Sequence, residues 1–118
     1  MEEYFTIMRA GGTAVADMFS DDAQLVGLGV VVRGRPAIRE FYSESIRIGR
    51  PHPELVGDLL IEGNRVAAEV YIRIEGNSSL HVVDLFQVDG ERITSLTYFV
   101  ADYPGFPGVT EARSNRQI

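Results

Sequence analysis

Asp84 is the side chain in this sequence best placed to do chemistry. It stands in the run His81-Val82-Val83-Asp84-Leu85-Phe86-Gln87-Val88, which reads as a β-strand ending at an Asp89-Gly90 turn. Side chains alternate along a strand, so Val82, Asp84, Phe86 and Val88 share one face, and the other three are apolar. An unpaired carboxylate on a buried face is costly, and such a group commonly escapes the cost by keeping its proton. A neutral Asp84 would donate a hydrogen bond; an ionised one would act as a base or water activator. A strand-end aspartate with water nearby is the plain structural alternative.

The other polar candidates point less clearly. By alternation His81 falls on the face opposite Asp84 and reads as a surface or interface residue. His52 lies between Pro51 and Pro53, in what reads as a loop, where a histidine beside a cavity mouth can serve as a base. Asp17, Asp21 and Asp22 read as helix-end and turn solvation. No spacing of His, Asp and Glu matches a metal site, and with no cysteine there is neither a thiolate ligand nor a thiol nucleophile. Gly27, Gly29 and Gly34 lack the spacing and context of a dinucleotide-binding turn.

Composition excludes several partners. The formal net charge is −6, there is no lysine, and the 11 basic residues are all scattered arginines, so a nucleic-acid backbone is not expected as a partner. No apolar run reaches membrane-spanning length and no signal peptide is apparent, so a cytoplasmic protein without a membrane partner is expected. At 118 residues, one domain (1–118) is expected.

These side chains need elements to position them. Tyr4, Phe5, Ile7 and Met8 form one apolar cluster and Val15, Met18 and Phe19 another, with Gly11-Gly12 between: two short helices about a glycine hinge, closed by Ser20-Asp21-Asp22. Residues 24–33 read as one strand containing two glycines. Pro36 marks a helix start, and Ile38, Phe41, Tyr42, Ser45 and Ile46 follow at helical spacing until Gly49 to Pro53 stops the helix. Strand-like runs then cover about 54–62, 65–75, 79–88 and 91–101, with turns at Gly63-Asn64, Gly76-Asn77 and Asp89-Gly90. The tail from Pro104 reads as loosely ordered. The fold class is α+β: a cone-shaped, curved antiparallel sheet with three helices from the N-terminal half on its concave face, a cystatin-like roll.

The segments Phe19-Ser20-Asp21-Asp22-Ala23, Gly34-Arg35-Pro36-Ala37-Ile38-Arg39-Glu40-Phe41-Tyr42 and Asp84-Leu85-Phe86, with Asp89-Gly90-Glu91-Arg92-Ile93, resemble the nuclear transport factor 2-like superfamily. That superfamily includes ketosteroid isomerase, SnoaL-like polyketide cyclases, scytalone dehydratase and limonene epoxide hydrolase. The resemblance to ketosteroid isomerase implies an oxyanion hole made by Tyr4 and a protonated Asp84, with Tyr42 hydrogen-bonded to Tyr4. It places the family's general base at Gly27, which cannot act as one. The epoxide hydrolase pattern needs a paired arginine facing the cavity, and alternation turns Arg73 away from the core.

The resemblance implies a cofactor-independent isomerase, cyclase or dehydratase type of enzyme. It would act by acid–base chemistry on a hydrophobic carbonyl or hydroxyl compound, with Tyr4 and Asp84 catalytic. Substrate-binding positions are expected at Tyr42, Val82, Phe86, Leu96, Tyr98 and Val100. The alternative is a non-catalytic module of the same fold that holds a ligand or a partner segment. A homodimer through the outer sheet face is also implied.

Overall fold

The computed structural model describes residues 1–27, 29–74 and 79–101. Helix α1 (Glu2–Arg9) buries Tyr4, Phe5 and Met8, and a 3₁₀ helix (Thr13–Met18) buries Val15 and Ala16. The two are separated at Gly11, whose φ of +76° suits glycine after the last turn of α1. These are the two expected short helices. Helix α2 (Arg35–Gly49) follows Gly34, carries proline in its first turn, and buries Ile38, Tyr42 and Gly49 along one stripe.

Seven strands follow one another as β1 (Phe19–Gly27), β2 (Val30–Arg33), β3 (His52–Leu55), β4 (Leu60–Glu62), β5 (Arg65–Arg73), β6 (Ser79–Asp89) and β7 (Arg92–Val100). They form a curled, unclosed sheet in the order β2-β1-β7-β6-β5-β3, with β4 also paired to β5. Every junction is antiparallel except β1 with β7, which are parallel. The helices pack on its concave face, in the expected α+β architecture.

Four local expectations are corrected. The run 24–33 is two strands of a hairpin rather than one, because Gly29 (φ +80°) turns the chain, and the first begins at Phe19. Ser20, Asp21 and Asp22 therefore lie within β1, not in a closing turn. There the ladder to β7 slips between Phe19 and Gln24, and Arg35 at the start of α2 pairs with Asp21. The run 54–62 is likewise divided into β3 and β4, with Gly57 at φ +73° between them. His52 is no loop residue: it opens β3 and pairs with Arg73 of β5. The Gly76-Asn77 turn and the tail from Pro104 lie outside the described residues.

The core sits between helices and sheet. Phe5, Phe19, Leu25, Ile38, Val70, Val82, Phe86, Ile93 and Leu96 have essentially no exposure. Phe86 meets Phe5 edge-on, with ring centroids 5.9 Å apart, and Tyr4 at 5.0 Å. These aromatic contacts close one end of the cone. The other end stays open.

Candidate active site

Four side chains from four elements converge where the closed end meets the open one. Tyr4 comes from the buried stripe of α1, Tyr42 from that of α2, and Tyr98 and Asp84 from facing positions on β7 and β6. The Tyr4 and Tyr42 hydroxyls are 2.7 Å apart, and Tyr98 lies 3.0 Å from each. Three phenols hold three protons, so a closed triangle uses every one of them. If one hydroxyl turns its proton towards an incoming acceptor, only one of the three contacts is given up. Burial pushes all three phenols above their ordinary range, and for Tyr98 the nearby Asp84 charge adds to this. They are donors at any physiological pH.

Asp84 is 2% exposed, and its Oδ1 has no hydrogen-bond partner. Burial pushes its carboxyl up to about 8, so it carries a proton at neutral pH. Leaving a buried polar atom unpaired costs about 1–3 kcal/mol. An orphan of this kind in a native fold calls for a reason, and a ligand in the adjoining space supplies one.

That space is a cavity of about 390 Å³, a size suited to a small molecule. Tyr4, Tyr42, Tyr98 and Asp84 form its polar end; Phe41, Ile72, Ile74 and Leu80 are among the apolar groups along its wall. Glu44 and Ile48 mark the mouth, since Ile48 lines the cavity yet is 72% exposed. Among the described residues, no cluster of His and acidic side chains is arranged to hold a metal ion.

Of the positions expected to contact a substrate, Tyr42 and Tyr98 line this cavity. Val82, Phe86, Leu96 and Val100 do not: the first three are buried core on the same sheet face, and Val100 is packed against that core. For Phe86 and Leu96, which pair with each other, the cause is the aromatic plug at that end of the sheet. The wall instead uses the opposite end, where Ile72 pairs with Leu80. Met8, also on the wall, follows Tyr4 by four residues, so helical spacing alone would have found it. Arg73 is exposed and bridges to Glu54 at 3.3 Å, away from the cavity. On the outer face His81 bonds Glu69 at 2.7 Å and stacks on Tyr71.

Gly27 has φ +138°, and a Cβ built on it would lie 2.7 Å from the Tyr98 Cβ and 2.8 Å from the Tyr98 carbonyl oxygen. No side chain fits there without moving β1 or β7. Besides Asp84, the cavity wall has one other acidic residue among those described: Glu44, held by Arg47 at 3.0 Å and lowered in pKa by that guanidinium.

Residues 1–96 match the SnoaL-like domain family. The chain belongs to that family. No curated protein matches it significantly by sequence. Solved structures share the fold of this SnoaL-like domain. A candidate polyketide cyclase from Sinorhizobium meliloti aligns with a TM-score of 0.74 at 18% identity, over 80% of this chain and 88% of its own. A protein with a ketosteroid isomerase-like fold from Catenulispora acidiphila, crystallised with trimethylamine, gives 0.70 at 22% identity, over 82% and 84%. A cystatin-fold protein from Novosphingobium aromaticivorans gives 0.71 at 16% identity, over 83% and 92%. At these identities the likeness is one of fold.

Proposed function

We propose that this SnoaL-like domain takes a hydrophobic compound into the cavity and polarises a carbonyl or hydroxyl oxygen of it with Asp84 and the tyrosine hydroxyls. The unpartnered, protonated Asp84 carboxyl at the polar end of an otherwise apolar cavity carries this reading. A neutral carboxyl and a phenol both donate, and two donors aimed at one oxygen stabilise the negative charge it gains in an enolate-like transition state. One such donor is worth about 3–4 kcal/mol. The reaction class is an isomerisation, cyclisation or dehydration in which that oxygen gains charge, and Tyr4 and Asp84 are its catalytic residues.

The obstruction at Gly27 favours a second reading, a domain that holds such a compound without turning it over. Titration with 2-naphthol, whose fluorescence reports its surroundings, tests the shared element. Tight binding that falls at least tenfold in the Asp84→Asn, Tyr4→Phe double variant is the expected result; failure of every hydrophobic phenol and ketone to bind removes the proposal. Deuterium exchange at the α-carbon of a bound ketone then separates the readings. Exchange faster than in buffer marks an enzyme, and none marks a holder.

A further inference from the structure

Away from its polar end, the cavity is walled by residues whose polar groups are already engaged. Pro53, Ile72 and Leu80 stand side by side across β3, β5 and β6, and all three line the cavity. The N–H and C=O groups of a sheet point sideways to neighbouring strands, so these residues turn hydrocarbon inward. Pro53 has no N–H, and its carbonyl accepts from Arg9 at 3.4 Å. From the helix side, Phe41, Ser45 and Ile48 of α2 line the same space along one stripe. The Ser45 hydroxyl is spent within the helix, donating to the Phe41 carbonyl at 2.9 Å. Both carboxylate oxygens of Glu44 accept from Arg47, each at 3.0 Å. Helix and sheet meet at Gly49, where a Cβ would stand 3.1 Å from the Ile74 Cγ2.

We infer that the ligand carries oxygen at one end only, and that Ile72 and Leu80 determine this specificity by giving a second polar group no partner. The inference rests on the reading of the cavity given above and narrows the class of compound it takes. Leu80 shares the strand face of Asp84, four residues away along β6, which is about 13 Å at the rise of a strand. A compound whose oxygen reaches Asp84 lays its far end towards Leu80 and Ile72. At about 30 Å³ for each water-sized group, a cavity of about 390 Å³ holds roughly a dozen of them. Two fused rings with one oxygen have that size. A second hydroxyl on such a body gives up its water and meets hydrocarbon, which lowers affinity at least about fivefold. A ring system oxygenated along its length is therefore a poor ligand for this cavity.

The test compares 2-naphthol with 2,6- and 2,7-dihydroxynaphthalene, which keep its ring and phenol and add one hydroxyl at the far end. Each diol should bind the wild-type protein at least about fivefold more weakly than 2-naphthol. Leu80→Gln and Ile72→Thr each set a hydrogen-bonding group in the wall, and at least one of them should shrink the gap by about threefold or more for one diol. The two variants are made separately, so that one failing to fold leaves the other to be read. Circular dichroism together with retained 2-naphthol binding shows that fold and cavity persist. A smaller gap for either diol in the wild type, or a gap that neither folded variant narrows, overturns the inference while leaving the cavity reading in place. If 2-naphthol does not bind, the cavity reading fails and this inference fails with it.

Discussion

Replacing Asp84 by asparagine should change how stability depends on pH. In the folded chain the carboxyl keeps its proton until about pH 8, whereas the ordinary value is 3.8. Between those limits the folded state binds one more proton than the unfolded state, so stability falls as pH rises. The slope is about 1.4 kcal/mol per pH unit, and the loss levels off above pH 8, where both states are ionised. At pH 7, a little more than three units above the ordinary value, burial of this group costs about 4 kcal/mol. Asparagine cannot ionise in either state and removes the whole dependence, although its amide, buried without partners, costs about 1–3 kcal/mol at every pH. Urea denaturation of both proteins from pH 5 to 9 gives the comparison. Titrating groups common to both proteins cancel in the difference. The variant should gain about 2.7 kcal/mol relative to wild type between pH 5 and pH 7, and nothing further above about pH 8.5. A flat difference curve would show that Asp84 is ionised and compensated in the fold, and the neutral-donor chemistry would fall with that result.

Three further outcomes follow from the same geometry. Gly27→Ala forces a Cβ to within 2.7 Å of Tyr98 at a φ of +138°, so it should lose about 2–4 kcal/mol in urea melts; a loss below 0.5 would show that β1 and β7 have room to part. Tyr98→Phe deletes two hydroxyl contacts of 3.0 Å and should cost about 1–2 kcal/mol while weakening 2-naphthol binding several-fold. We also propose that a second copy covers the outer sheet face, where Tyr71, Val83 and Phe99 are 46%, 37% and 54% exposed and Val83 pairs with Phe99. Sedimentation should then show a dimer that Phe99→Glu converts to monomer.

Much of the arrangement was legible because strand alternation is strict. Alternation places Asp84 on the face of Val82 and Phe86, with which it is buried, and the spacing of Ile38 and Tyr42 marks the inward stripe of α2. What alternation cannot say is which end of a shared face lies open. Val82, Phe86, Leu96, Leu80 and Ile72 all point inward, and Phe5, reaching across from α1, decides that the Phe86 end is packed and the Leu80 end is hollow. That is a contact between residues far apart in the chain. The two divided strands have a local cause: Gly29 and Gly57 each turn the chain within a run whose apolar content reads as continuous. The flanking prolines make His52 read as a loop residue, yet a proline is tolerated in an edge strand, and β3 ends the sheet.

The bare position 27 has a structural origin in the packing of β1 against β7. β1 and β7 lie parallel, in register from Gln24 opposite Ser95 to Val26 opposite Thr97, which carries Gly27 against the backbone of Tyr98. So close an approach is possible because residue 27 has no side chain. A carboxylate there would have to push β7 away, and with it the hydroxyl that completes the triangle with Tyr4 and Tyr42. A side chain at position 27 and the present spacing of β1 and β7 exclude one another, and this chain keeps the spacing. A site so built is strong in donors and poor in proton acceptors. On the reading proposed above it would stabilise an oxygen that gains negative charge, and a proton leaving carbon would pass to the ligand itself or to water at the open mouth. That bias makes binding of phenols and enolate analogues a more direct probe of the site than turnover of any one ketone.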